Sequence, residues 1–388
     1  MSARRGIDRH QHSALVEVES GRASGLDAPD TPDAAEAGAG AGAGPSEGAG
    51  IFGLSHSPRD AKVILIPVPF EATTSHGGGT SDGPGAILHA SRQIDLVDLE
   101  TSQLEPGKPS EQGIAMLDES PDLRAWDLSA RMAASHVLAR GGTHGEPALL
   151  GAAASADALI EKMNAQVRST AALFLGRGKI VGTVGGDHSV SFGAIEAHAA
   201  RYPGLGVLHF GAHADLRRAH QGFTWSHASI LDNVLSRLPG VARLVQVGVR
   251  DLCAEEHERI AQSEGRIVTF FDAQLAEARF AGETWAQQCA RILATLPAQV
   301  YLSFVIDALD PALCPHTGRR VPGGLSFQMA TYLIAAVVRS GRRLVGFDLT
   351  EVAPAADGGD WDQAVGARIL YKLCGWAVRS LDLPCAAP

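Results

Sequence analysis

Short, almost continuously apolar runs recur along this chain, and stretches with helical spacing separate them. "KIVGTVG" (179–185), "GVLHF" (206–210), "RLVQVGV" (243–249), "RIVTF" (266–270), "QVYLSFV" (299–305) and "RLVGFDL" (343–349) are of this kind, and "KVILIPVP" (62–69) is a further strand candidate. A strand that is apolar on both faces has to be covered on both faces. Strands that alternate with helices are joined by crossovers, which run neighbouring strands in parallel. The pattern therefore predicts an α/β protein: a three-layer α/β/α architecture with a mostly parallel central sheet. The intervening stretches "SHASILDNVLSRL" (226–238), "TWAQQCARILATL" (284–296) and "SFQMATYLIAAVVRS" (326–340) read as helices, as do "GPGAILHASRQ" (83–93), opened by Pro84, and 154–176.

Two regions depart from this rhythm. Residues 1–58 contain "AAEAGAGAGAGPSEGAG" (34–50), a Gly/Ala segment with too little apolar surface to offset its ordering entropy. The expectation there is a disordered tail, followed by one α/β domain over 59–388. Residues 101–150 are rich in Gly, Pro and charge and read as an irregular insertion.

The formal charge of −10 argues against nucleic acid and anionic membranes as partners, because both are recognised by basic patches. No apolar run reaches the roughly 20 residues that a membrane span needs. Five cysteines without paired spacing suit a reducing compartment, and the absence of a CxxC pair argues against a thiolate zinc site. A cytoplasmic protein is the expectation.

Ligands of parallel sheets bind beyond the carboxyl ends of the strands. Four of the strands end in imidazoles and carboxylates: Gly185-Gly186-Asp187-His188-Ser189, Gly211-Ala212-His213-Ala214-Asp215, Ile306-Asp307-Ala308-Leu309-Asp310 and Thr350-Glu351. One such end is an ordinary polar loop, whereas four in one sheet point to a shared cleft. Imidazole with carboxylate and no thiolate favours Mn²⁺, Fe²⁺, Ni²⁺ or Zn²⁺. Asp187 and Asp310 read as acceptors that shape their loops, and His76 as a loop residue. His227 alone reads equally well as a polar residue opening a helix, and Glu351 as a carboxylate just past a strand.

From about residue 61 to 385 the chain resembles the arginase/agmatinase (ureohydrolase) family, its agmatinase branch in particular. The resemblance rests on "PVPFEATTSHGGGTSDGPGAILHAS" (67–91), "GGDHS" (185–189), "WSHAS" (225–229), "SFVIDALDP" (303–311), "VPGGLS" (321–326) and "DLTEVAP" (348–354), in the family's order. It implies hydrolysis of a small guanidino compound, agmatine first, to an amine and urea, as part of polyamine metabolism. Two Mn²⁺ ions would supply the hydroxide that attacks a resonance-stabilised cation. It also implies a homo-oligomer, trimer or hexamer. Carried over by motif, His188 and His213 are histidine ligands of the two ions and Asp215 and Asp307 each ligate one. His227 is the proton shuttle, and Glu351 grips the guanidinium.

The chain departs from the family at two positions. Gly211 and Val305 stand where the family motifs carry the aspartates that bridge the ions. Without those two anionic charges, a close dication pair is poorly screened. One ion or none is therefore expected, with impaired hydrolysis. Two alternatives stay open: a non-catalytic relative that binds a guanidino or amine ligand or partner subunits, and, more remotely, a single-metal deacylase.

Overall fold

The computed structural model describes residues 50–101 and 108–382. Most of the expected tail, 1–49, lies outside the described residues. Its end does not behave as a tail: Ile51 and Phe52 are buried in the core, and Phe52 packs edge-on against Tyr371 with ring centroids 4.9 Å apart.

Eight strands form one sheet: β1 (Val63–Val68), β2 (Ile114–Met116), β3 (Ile180–Gly185), β4 (Leu205–Phe210), β5 (Val241–Val247), β6 (Ile267–Phe270), β7 (Gln299–Val305) and β8 (Arg343–Thr350). All pairings are parallel, in the order β2-β1-β3-β8-β7-β4-β5-β6. Ten helices accompany them among the described residues: α1 (Gly83–Ser91), α2 (Pro121–Ala139), α3 (Pro147–Gly176), α4 (Ser191–Arg201), α5 (Ile230–Arg237), α6 (Ala254–Ala261), α7 (Asp272–Phe280), α8 (Trp285–Ala294), α9 (Phe327–Arg339) and α10 (Trp361–Asp382).

The alternation of side chains along a strand divides the core in two. In β1, Val63 and Leu65 join the cluster with α1, α8, α9 and α10. Ile64, Ile66 and Val68 join the opposite cluster with α2, α3, α4 and α5. This is the expected three-layer arrangement.

The region 101–150 departs from the expectation of an irregular insertion. Ile114–Met116 adds an edge strand beside β1, Pro121–Ala139 forms a helix, and α3 begins at Pro147. Prolines open both helices, at the position where a missing N–H costs nothing. The Gly and Pro that made the stretch look irregular therefore mark its boundaries. Among the described residues, no helix is long and apolar enough to cross a membrane.

The order of strands sets up the site. The four strands whose ends carry imidazoles and carboxylates are β3, β8, β7 and β4, which are contiguous in the sheet. Neighbouring strands lie about 4.8 Å apart, so side chains from four adjacent ends can meet over one cleft.

Candidate active site

The cleft beyond these strand ends is lined by His213, Asp215, His227, Val305, Asp307 and Glu351, with Arg217, His220, Asp251 and Arg319 among its other charged and polar groups. His188 lies behind it, fully buried. His76, read from sequence as a loop residue, also lines the cleft. Asp187 and Asp310 shape their loops as expected: one accepts from the Ser189 amide at 3.0 Å, the other from the Ala312 amide at 2.9 Å.

Two imidazole–carboxylate pairs dominate the cleft floor. His188 Nδ1 is 2.7 Å from Asp215 Oδ2, and His213 Nδ1 is 2.8 Å from Asp307 Oδ2. Burial disfavours charge on both rings, but the hydrogen bond and the charge of each partner outweigh it, and both are held up at about 9. Burial likewise works to raise Asp215, yet the His188 contact brings it down to about 2.

The backbone that presents these groups is locally strained. Asp215 has φ +52° and Glu351 φ +63°, left-handed values that cost a non-glycine residue of order 1 kcal/mol or more. Both are tied down. The Asp215 carbonyl accepts from the Leu231 amide at 3.0 Å, and Glu351 donates its amide to Gly186 O at 2.7 Å. Gly186 itself has to be glycine because of another neighbour, since a Cβ there would overlap the Phe70 carbonyl. The half-buried Glu351 carboxyl is pushed up to about 8, first by burial and then by Asp307 and Asp215. Its Oε1 lies 3.4 Å from the His188 amide.

His227 follows the N-cap Ser226, whose hydroxyl accepts from the Ala228 amide at 3.2 Å. Its Nδ1 is 3.3 Å from Thr73 Oγ1. Burial brings the ring down to about 4, so it is neutral at pH 7.

Three further buried groups were not singled out from sequence. His209, inside β4, stacks on His188 with ring centroids 5.1 Å apart. Ser303 Oγ is 2.9 Å from His188 Nε2, and it donates to Asp348 Oδ1 at 2.8 Å. Polar residues inside apolar strands are a usable signal, because burial without a partner is costly.

His188, His209 and Asp215 lie close enough to share an ion. The hydrogen bonds argue against His209 as a ligand. Gln246 Nε2, anchored on the Ala214 carbonyl at 2.8 Å, donates to His209 Nδ1 at 3.2 Å. A neutral ring that accepts at Nδ1 carries its proton on Nε2, and so turns an N–H rather than a lone pair to the cluster.

The residues present do not fit two ions sharing carboxylate bridges. Val305 puts a buried apolar side chain beside Asp307. Gly211 offers no side chain, and a Cβ there would meet the His209 ring at 2.5 Å.

The profile of the Arginase family matches residues 61–375. An N(1)-aminopropylagmatine ureohydrolase of Thermus thermophilus is 31% identical over 341 residues, 86% of this chain and 98% of that protein. An N(1)-aminopropylagmatine ureohydrolase of Synechocystis is 29% identical over 318 residues, 82% of this chain and 89% of that protein. Among solved structures, the proclavaminate amidino hydrolase of Streptomyces clavuligerus superposes with a TM-score of 0.65 at 21% identity, covering 87% of this chain and 99% of that one. These matches and the parallel sheet define an α/β protein of the arginase fold. The chain belongs to the Arginase family.

The titrations predict the stability of the ion-free chain. His188 and His213 are raised from 6.5 to about 9, so their contribution is complete below pH 6.5 and is lost as pH rises through 9. Glu351, raised from 4.5 to about 8, loses its contribution over an overlapping window. His227 and His209, lowered to about 4 and 3, act only below pH 6.5. The melting temperature in chelator should therefore fall steadily between pH 6.5 and 9. A flat or rising profile would contradict the two charged pairs.

Proposed function

We propose that this chain takes a linear guanidino compound, agmatine or N1-aminopropylagmatine, into the cleft. It hydrolyses the compound to an amine and urea far more slowly than a centre with both bridging carboxylates. The observation that carries this reading is Glu351 beside Asp215 and Asp307: carboxylates on a cleft floor, with His227 at the same opening. A guanidinium is planar and always charged, and it suits a carboxylate that can accept two of its N–H groups. Glu351 grips and orients it. His227, kept neutral by burial, has a lone pair to accept a proton and pass it to the leaving amine. The metal would supply the hydroxide in the family's chemistry, and the groups available to hold Mn²⁺ here are the two pairs His188–Asp215 and His213–Asp307. With Gly211 and Val305 in place, that supply is what is weakened.

The relatives' substrates support agmatine and its aminopropyl derivative as the first compounds to try. Among the described residues four cysteines are free, three of them buried, which suits the reducing cytoplasmic setting of this reading, and a homo-oligomer belongs to it by family. A second reading, binding without turnover, draws on Val305, whose methyl groups occupy a place where the chemistry would need an anion.

Calorimetric titration with agmatine and urea release in Mn²⁺ separate these readings. The expected result is agmatine binding with slow urea release that disappears in His227→Ala. Binding without any urea release would favour the second reading. Brisk release with two tightly held ions would overturn the weakened centre, and no binding at all would overturn the pocket.

A further inference from the structure

We propose that a divalent cation enters this cleft as a single ion on the His188–Asp215 side, with Ser303 and Asp348 positioning the His188 ring, while His213 and Asp307 remain paired with each other. This rests on the metal-dependent reading of the site but not on turnover.

One hydroxyl proton distinguishes the two halves of the cleft. Ser303 and Asp348 are fully buried, and Ser303 spends its only proton on Asp348 Oδ1 at 2.8 Å. Its oxygen can then only accept from His188 Nε2, 2.9 Å away. Nε2 is thereby fixed as the protonated nitrogen. Nδ1 is left to face Asp215 at 2.7 Å, and a cation arriving there displaces the proton they share, which leaves to solvent. Outer partners of this kind fix the tautomer and direction of a ligating histidine. Asp215 is equally constrained, held in a left-handed conformation with its carbonyl accepting from the Leu231 amide.

The other half lacks such a brace. The His213 side chain is partly exposed, and its Nε2, although buried, has no hydrogen-bond partner among the described residues. The nearest carboxylate oxygen on that side, Asp251 Oδ2, is 3.8 Å away and also pairs with Arg319 at 3.2 Å. Asp307 divides its oxygens between His213 Nδ1 at 2.8 Å and the Ala212 amide at 3.0 Å. An ion there would displace the His213–Asp307 bond without any outer partner on Nε2 to keep the ring aimed at it. With no shared carboxylate from 211 or 305, a second dication would also face the first unscreened.

The test titrates Mn²⁺ into the full chain after chelation, by calorimetry and by electron paramagnetic resonance of free Mn²⁺. One ion per chain is expected. His188→Asn should abolish uptake, and His213→Asn should leave the affinity within a few-fold. Ser303→Ala and Asp348→Asn should each weaken it by about 10- to 100-fold, with Ser303→Thr restoring most of the loss. Nitrogen NMR of the ion-free chain above pH 9, where the His188 ring has become neutral, should find its Nε2–H form, and Ser303→Ala should erase that preference. Two ions per chain, equal losses in His188→Asn and His213→Asn, or unchanged affinity in an Asp348→Asn protein that melts normally in chelator would each overturn the proposal. Because no substrate is present, failure here leaves agmatine binding untouched, and failure of agmatine binding leaves the ion count untouched.

Discussion

Gly211→Asp and Val305→Asp together should raise urea release from agmatine by about 100-fold or more and increase bound Mn²⁺ from one ion to two. The two positions are neighbours in the fold: the first follows β4 and the second ends β7, which pair directly in the sheet. Either change alone leaves one bridging carboxylate missing, so the gain should be strongly non-additive, as it is for groups that act as a unit.

The structure adds a condition. A side chain at 211 would meet Cε1 and Nε2 of His209 at 2.5 Å, so that ring has to turn away from its Gln246 contact. At 305, an aspartate replaces a side chain that is 2% exposed, beside Asp307. A carboxylate there without an ion costs several kcal/mol in desolvation and like-charge repulsion. The doubly changed protein should melt lower than the original in chelator, and higher than it in saturating Mn²⁺. Paired melting curves with ion counting check this. A restored chain that gains neither ion nor rate would mean that the cleft has changed beyond the two bridging positions.

Much of the architecture was legible in the sequence because it depends on period and apolarity. β7 runs over Gln299–Val305, the same residues the pattern suggested, and the other expected strands shift by two residues or fewer. β2 and α2 were not legible. A three-residue edge strand is too short to carry a pattern, and α2 leaves Leu128 and Met132 exposed, which blurs its amphipathic spacing.

At the site, the groups at strand tips were found because they stand in loops whose polarity needs no other explanation. Their pairing was not readable. That His188 faces Asp215 while His213 faces Asp307 follows from the order β3-β8-β7-β4, which residue spacing does not encode. His209, Ser303 and Asp348 lie inside strands that look uniformly apolar at the level of a run. Their importance appears only once each buried polar atom is asked for its partner.

The second large effect lies at Glu351. Replacement by Gln keeps the size and removes the charge, and agmatine affinity should fall by at least about 30-fold, the scale expected when a buried charge pair loses one member. Glu351→Ala should abolish binding at accessible concentrations. The pH dependence distinguishes a direct grip from a general change in the cleft. In the ion-free chain, burial and the neighbouring Asp307 and Asp215 push this carboxyl up to about 8. A guanidinium stays charged throughout, so binding needs the carboxylate form. Agmatine affinity should therefore strengthen as pH rises from 6.5 through 8. Loss of positive charge from His188 and His213 near pH 9 acts in the same direction. Glu351→Gln should remove the part of the rise centred near pH 8 and leave the later part. Calorimetry in chelator at half-unit steps of pH resolves the two. If the Gln variant keeps both the affinity and the full pH rise, Glu351 is not the guanidinium's partner, and Asp215 and Asp307 become the carboxylates to test.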